Sequence, residues 1–387
     1  MHNALFPQPG GIGNYIYHLG RELVAAKYEV IIITERSKFY PKKKQTVNGF
    51  TVLTYRPTKF GFLNLMFPKI ISNKNSSILE TLNLDSHDTI VVRNLFIASY
   101  LHKKCEFIYF PPNPIRIIAQ QWVKNVQKRK DFTSRLLVIM YKILAKKWHS
   151  LETAVLDAST KNLVISNNTK NNYKELFPQK RFSVLYPGCD VSLKNAIPED
   201  DICDILSKRN RSESALLYVG RLDQEKNITE FTRWFVATKL NMHLHIVGTG
   251  KDVTRIRELV KLDERVVLHG YQSFTLNYYY QNTDVLILPS KVEGFGQVIL
   301  ESLMNGTPII GFETSKELET STAILELSEL TQGIGKLNTD FDNLKECEFE
   351  TLVNKLKLLD RSEIKSRALE CFSWRRCMNE FLRNIRD

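Results

Sequence analysis

The 387-residue chain has little that would anchor it in a membrane, cross-link it or hold a metal. No apolar run approaches the roughly 20 residues of a membrane-spanning helix; the longest candidate, "LLVIMY", covers only 136–141. The start, "MHNALFPQPGG", lacks the basic and apolar segments of a secretory signal. The six cysteines, at 105, 189, 203, 347, 371 and 377, form no CxxC pair and have no ligand spacing. That argues against a disulfide framework or a zinc ribbon and fits scattered reduced thiols in a cytosolic protein. The eight histidines show no metal spacing either. Internal repeats and low-complexity segments are absent. Neither glycine-rich segment is a dinucleotide fingerprint: "GIGNYI" has Ile16, and "GTGKDV" has Val253, where GxGxxG needs its last glycine. "DFD" at 340–342 resembles a metal-binding DxD, but it lies in an acidic loop that follows no strand and reads as a helix cap or a solvated turn.

Charge is present but lopsided. Residues 1–200 carry 29 Lys and Arg against 14 Asp and Glu, and residues 201–387 carry 25 against 28. The first half therefore either faces an anionic partner or simply has a basic surface. The basic region 115–158 contains "WVKNVQKRK" and "YKILAKKW" but no nucleic-acid motif. Its Trp122, Tyr141 and Trp148 mix with apolar residues, which fits contact with an anionic membrane surface better than nucleic acid.

Short apolar runs alternate with helix-like stretches. In the second half "SALLYVGR" (214–221), "HLHIVG" (243–248), "RVVLHG" (265–270), "DVLILPS" (284–290), "TPIIGF" (307–312) and "AILEL" (323–327) read as strands. The first half offers "YEVIIIT" (28–34), "DTIVV" (88–92), "CEFIY" (105–109), "NLVIS" (162–166) and "FSVLY" (182–186), interrupted by a long helical region, 115–158. Apolar strands without alternation, separated by helices, predict parallel sheets covered on both faces. A linker is expected in "PGCDVSLKNAIPEDDI" (187–202). The expectation is two doubly wound domains facing across a cleft, with ligands outside the carboxyl ends of the strands.

Three strand-end loops are candidates for chemistry. "PGGIGNY" (9–15) opens a helix expected over 12–26 and offers backbone N–H groups to an anion. In "GRLDQEKN" (220–227), Arg221 and Lys226 suit a diphosphate, Arg as a bidentate fork and Lys as a point charge. The alternative is a solvated turn in which Arg221 pairs with Asp223 or Glu225. "PSKVEGFGQVILES" (289–302) sets Glu293 and Glu301 eight residues apart. In a continuous helix that is about 12 Å, wider than the roughly 5–9.5 Å of a glycosidase carboxyl pair. The pair is better read as two grips on one elongated ligand, each carboxylate accepting hydrogen bonds from hydroxyls.

These segments resemble the retaining glycosyltransferases of the GT-B fold, family 4. "GRLDQEKN", "IVGTG" and "PSKVEGFGQVILESLMNGTPII" are similar to their C-terminal domain, with Glu293 and Glu301 in the E-x7-E pattern. "PGGIGNYIYHLGRELVAAKYEVIIIT" resembles their N-terminal phosphate loop, and "FSWRRCMNEFL" (372–382) their closing helix. The resemblance implies a two-domain GT-B architecture of Rossmann-like domains: 1–190 on the acceptor side, 191–371 for the nucleotide-sugar, and 372–387 crossing back. It implies that Arg221 and Lys226 hold the donor diphosphate. Glu293 contacts the transferred sugar, helped by backbone groups at Phe295, Gly296 and Gln297. Glu301 binds the ribose, and Gly11 offers its N–H to the phosphate. It also implies front-face transfer with retention and no metal or other cofactor. Expected partners are a nucleotide-sugar donor, a lipid-linked or growing glycan acceptor in bacterial surface-polysaccharide assembly, and the inner face of the membrane; nucleic acid is not one. Where many relatives place a histidine, this chain has "YFPPNPIR" (109–116). Either Asn113 or the backbone substitutes there, or sugar selection differs. His18, on the helix after the glycine loop, is a second acceptor-side candidate. A competing reading is a non-catalytic sugar-nucleotide-binding subunit that supports a partner transferase. Relatives also carry an apolar first strand where this chain has "MHNALFPQ", so a truncated start is expected, with that strand upstream.

Overall fold

The computed structural model describes residues 11–55, 88–127, 132–189, 213–272, 275–290, 295–312, 326–328, 331–337 and 341–386. The chain divides into two compact units: Met1–Gly188 with Cys377–Asp387, and Cys189–Arg376. The segments 1–8 and 190–202, expected to hold or lack a first strand and to form the linker, lie outside the described residues.

The first unit opens with α1 (Gly11–Ala25), one residue earlier than expected, and β1 (Ile31–Glu35). A hairpin follows, β2 (Lys44–Val47) and β3 (Phe50–Tyr55). Its two-residue turn, Asn48–Gly49, has φ of 47° and 86°, the left-handed pair that Asn-Gly adopts in tight hairpins. β1 and β3 are parallel, giving the order β1-β3-β2. A second sheet, β4-β5-β6-β7, is parallel throughout. It is built from β4 (Val91–Val92), β5 (Ile108–Tyr109), β6 (Lys161–Val164) and β7 (Ser183–Val184). Its strands are shorter than the apolar runs that announced them. α2 (Leu95–Leu101) is capped by Asn94, whose side chain accepts from the Phe96 and Ile97 amides at 2.9 and 3.3 Å. The expected long helix is two, α3 (Ile115–Gln127) and α4 (Phe132–Ala158). α5 (Asn167–Leu176) is capped by Ser166. Among the described residues, β1 and β4 are each paired on one side only.

The second unit is more regular. Six parallel strands lie in the order β10-β9-β8-β11-β12-β13. They are β8 (Ser214–Val219), β9 (Met242–Val247), β10 (Val266–Gly270), β11 (Val285–Leu288), β12 (Ile309–Phe312) and β13 (Ile334–Leu337). Counted in chain order this is 3-2-1-4-5-6, the doubly wound arrangement whose crevice opens between the first and fourth strands, here β8 and β11. Every residue of β8, β11 and β12 is buried, which is why their sequences are unbroken apolar runs. α6 (Ile228–Ala237) brings Phe231 against Phe312 and Phe349, with Phe235 stacked on Phe231. Phe341, the centre of "DFD", packs on Phe231 and Phe312 at 5.7 and 5.0 Å. That phenylalanine is partly buried against the core, which accounts for one of the three positions. α7 (Val253–Leu259), α8 (Leu276–Asn282) and α9 (Gln297–Met304) complete the crossovers. The run "AILEL" is not a strand where it is described: residues 326–328 are helical. β13 carries a strand that the apolar runs did not announce, because "IGKL" has only two apolar side chains to show. α10 (Glu346–Lys357) has acids in its first turn and lysines in its last, matching the helix dipole. α11 (Arg361–Phe372) is capped by Asp360, and α12 (Trp374–Arg386) carries the chain from the second unit back into the first.

Candidate active site

In the second unit the loops after β8, β9 and β10 are fastened together by backbone. The Gly248 amide donates to Gly270 O at 2.7 Å, Leu222 N to Thr249 O at 3.0 Å, and Asp252 N to Leu222 O at 2.9 Å. The approach is close enough that a Cβ on Gly248 would stand 1.8 Å from Gly220 O, and one on Gly250 would stand 2.2 Å from Leu222 O. "GTG" is therefore not a phosphate fingerprint but a seat for the Arg221 loop. The Tyr218 hydroxyl adds a bond to Arg221 O at 2.8 Å.

On this platform Arg221 points outward. Its side chain is 67% exposed and pairs with Asp223 at 2.7 Å and with Glu225 at 3.7 Å. Both partners foreseen for the solvated turn are engaged. Lys226 is half-buried and stands two residues before α6 rather than at its start. Its amide donates to Asp223 O at 3.0 Å, and Asn227 makes the turn into the helix at φ 56°.

Across the crevice from β8, the chain leaves β11 toward α9. Glu293 and Gly294 lie outside the described residues. Phe295 is buried, its ring 6.1 Å from Phe372. Gly296 sits at φ 73°, where a Cβ would meet Ile299 at 2.6 Å, and no side chain caps the helix it opens. Gln297 is the first residue of α9, so its N-terminal turn presents backbone N–H groups, a setting that favours an anion. In the described part of the Glu293–Glu301 interval, the helix takes in Gln297–Glu301. Glu301 is half-buried and accepts from the Tyr280 hydroxyl at 3.0 Å. Burial and the Glu301 charge push the Tyr280 phenol well up, so it remains a donor at neutral pH.

Behind α9 sits a polar brace that the motifs did not reveal. Arg361 donates to Thr283 O and Tyr280 O at 2.8 and 2.9 Å and to Thr307 Oγ1 at 2.6 Å. Asn305 donates to Glu301 O at 2.8 Å and to Asn277 Oδ1 at 3.2 Å. These bonds hold the helix that carries Glu301. In "NGTPII", Gly306 at φ 76° leaves no room for a Cβ beside Arg361 O.

The first unit has its own candidates. Gly11 is the first residue of α1, and His18 lies two turns along it, half-buried, with its ring edge-on to Tyr17 at 5.3 Å. Asn113 follows β5, with its Oδ1 buried and unpartnered. A deeply buried carboxyl group here was not foreseen. Glu152 on α4 is 1% exposed. It accepts from the Ile115 amide at 3.0 Å and from the hydroxyls of Tyr173 and Tyr109 at 2.9 and 3.4 Å. Burial raises its pKa to about 7 against the bonds that oppose it. It thereby fixes the start of α3 and the 111–114 turn containing Asn113. Its signal was an acid on the apolar face of a helix, one turn from Trp148 and from Val155 and Leu156, all buried. Among the described residues no three His, Cys, Asp or Glu gather as a metal ligand set.

Residues 206–322 match the family model for glycosyl transferases group 1. An uncharacterised glycosyltransferase of Methanocaldococcus jannaschii is 23% identical over 78% of this chain and 76% of its own. N-acetyl-alpha-D-glucosaminyl L-malate synthase of Bacillus anthracis is 23% identical over 79% and 76%. A Campylobacter jejuni N-acetylgalactosaminyltransferase, named for a diphospho-undecaprenol substrate, is 31% identical over 36% of this chain and 38% of its own. Among solved structures, sucrose-phosphate synthase of Thermosynechococcus elongatus superposes with TM-score 0.71 at 16% identity, covering 100% of this chain and 94% of that one. An Anabaena protein, HepE, solved with UDP-glucose, superposes at 0.65 and 11% identity, covering 99% and 98%. The matched segment spans the strand-end loops of the second unit, and the structural likeness runs the length of the chain. Residues 206–322 carry the pattern of the glycosyl transferases group 1, and the chain as a whole has the GT-B fold.

Proposed function

We propose that this glycosyltransferase is a retaining, metal-independent enzyme. It moves a sugar from a nucleotide-diphospho-sugar to a lipid-linked or growing glycan acceptor at the cytosolic face of a membrane. The observation that carries the reading is the doubly wound order of the second unit. It sets the Arg221–Lys226 loop and the uncapped start of α9 at the carboxyl ends of the two strands flanking the switch point. A diphosphate between them would meet Arg221, Lys226 and the amides at Gln297, with Glu301 gripping the ribose and Glu293 the sugar. The ion pairs now made by Arg221 do not oppose this. Exposed pairs are worth about 0–1 kcal/mol, whereas hydrogen bonds to a charged group are worth about 1.5–3 kcal/mol. With two cations and helix-terminal amides on the leaving diphosphate, the developing charge is offset without a metal.

The α4 surface supports the membrane setting. Ile139 and Ile143 are 57% and 65% exposed, and Lys142, Lys146 and Lys147 are exposed beside them. Residues 139, 142, 143 and 146 share one helical face, the mixture expected of a helix lying on anionic lipid. Lys128, Arg129 and Lys130 lie outside the described residues. The second reading is a non-catalytic sugar-nucleotide-binding subunit, and the presence of Arg221, Lys226, Glu293 and Glu301 together argues against it.

One assay separates the readings: transfer and hydrolysis of UDP- and GDP-sugars by the purified chain, with acceptor lipid in anionic vesicles. Glu293→Gln should nearly abolish turnover while nucleoside diphosphate still binds. Arg221→Ala and Lys226→Ala should each weaken both by roughly 10–150-fold. EDTA should change nothing, and neutral vesicles should lower the rate. Full activity of Glu293→Gln, or a strict metal requirement, would refute the proposal, and absence of any donor turnover would favour the subunit reading.

A further inference from the structure

Arg93 follows β4 and is 5% exposed, with its Nε and Nη1 buried and without hydrogen-bond partners. The β4–β5 register places it opposite Phe110, whose ring centroid is 4.1 Å from the guanidinium carbon; the Tyr15 ring of α1 is at 5.4 Å. Among the described residues no carboxylate pairs with it. Glu152, the buried acid of this unit, is committed to Tyr109, Tyr173 and the Ile115 amide. The turn is not slack, because the next residue, Asn94, caps α2. Desolvation lowers the Arg93 pKa to about 10, which leaves it charged at neutral pH. On the adjacent strand's loop, Asn113 Oδ1 is likewise buried without a donor.

Buried polar groups are nearly always satisfied, and a buried charge without a counter-ion is among the costlier features a core can keep. Aromatic faces offset part of that cost but leave the N–H groups unmet. Two orphans of opposite kind, a cationic donor and a carbonyl acceptor, stand on loops leaving neighbouring parallel strands, where this class of sheet takes its ligands. Arginine offers only donors, in a fork that matches a carboxylate or phosphate.

We propose that Arg93 binds an oxyanion of the acceptor, so that the acceptor glycan presents an anionic sugar. Its carboxylate or phosphate seats on the guanidinium, and a neighbouring hydroxyl donates to Asn113. This rests on the glycosyltransferase reading and deepens it on the acceptor side. It assigns a substrate class to the place where the histidine of many relatives is missing.

The test is calorimetric titration of the full chain and of Arg93→Met and Arg93→Lys. The probes are glucose 1-phosphate, glucuronic acid, methyl glucoside and inorganic phosphate, with UDP as the control for the second unit. The wild type should bind one anionic sugar and not the neutral one, and which of the two binds tells phosphate from carboxylate. Arg93→Met should weaken that binding by about 10–100-fold, Arg93→Lys by less, and both should leave UDP affinity unchanged. Because Arg93→Met removes an unpaired buried charge, its Tm should be unchanged or higher; a merely structural arginine would lower it. Equal binding of neutral and anionic sugars, equal binding by Arg93→Met, a lowered Tm, or inorganic phosphate binding as tightly as the sugar would each overturn the proposal. Failure of the donor reading shows separately, as loss of UDP binding and donor turnover in the wild type.

Discussion

The two units solve the same architectural problem with different amounts of strain. In the second, six parallel strands form one sheet whose strands β8, β11 and β12 are fully buried, the site loops are tied by backbone bonds, and Arg221 at the crevice is paired and wet. In the first, the described strands fall into two sheets, and the site margin holds a buried carboxyl group, a buried guanidinium with two nitrogens lacking hydrogen-bond partners, and an unpartnered amide oxygen. Buried polar groups cost free energy when unsatisfied, and surface ones do not. The second unit is therefore built to be stable with an empty crevice, while the first keeps unmet groups at the place where a ligand would arrive. Sites that sacrifice stability for function are the expected pattern in natural enzymes.

The largest expected effect tests the second unit's reliance on close backbone contact. Gly248→Ala would drive a Cβ to 1.8 Å from Gly220 O at φ 148°. Strain of about 1–3 kcal/mol and overpacking of about 1–3 kcal/mol add to roughly 4 kcal/mol. Gly270→Ala, at φ 67° with nothing within 4 Å of its Cβ, should cost only about 1–2 kcal/mol. Urea unfolding of the two variants makes the comparison. Equal costs would mean that conformation, not crowding, governs these loops.

A smaller effect is expected where the first unit keeps its carboxyl group. Glu152→Ala strands the Ile115 amide and the hydroxyls of Tyr109 and Tyr173, at about 1–3 kcal/mol for such a loss. Glu152→Gln should cost less, because its carbonyl can still accept from Ile115. A Glu152→Ala chain as stable as wild type in urea would show that the 111–114 turn is held by something else.

What could be read in the sequence divides along the same line. The buried parallel strands of the second unit were legible as unbroken apolar runs, and Gly296, Gln297 and Glu301 as a strand–turn–helix pattern. The Asn48–Gly49 hairpin carried its own turn signal and was passed over. The brace of Arg361 and Asn305 could not be seen, because it joins residues up to 81 positions apart and no local pattern records such a distance. Arg93 and Glu152 are similar cases. Each is a single charge in an apolar neighbourhood, and only the packing shows that Glu152 meets hydroxyls while Arg93 meets aromatic faces.

The comparison becomes sharpest, and the expected effect smallest, under mild acid. Glu152 titrates near 7 in the folded chain against a reference of 4.5. Its protonated form is favoured by folding, so its contribution is fully present below pH 4.5 and is lost as pH rises through 7. His269, packed at 3.0 Å from the His245 ring nitrogen and desolvated, titrates near 4 against 6.5. Its neutral form is favoured by folding, so its contribution is present above pH 6.5 and is lost as pH falls through 4. Each shift corresponds to roughly 3 kcal/mol across its full window. Between pH 7 and 5 the two units should therefore move in opposite directions, the first gaining stability and the second losing it, with a near-cancelling global signal. Hydrogen exchange followed by mass spectrometry, converted to protection factors to remove the intrinsic pH dependence, resolves them. Slow amides of β5 and α4 should gain protection on acidification, and those of β9 and β10 should lose it. Glu152→Gln should flatten the first response alone, and His269→Gln the second alone. Changes of the same sign in both units would mean that neither group governs the pH response of its own core.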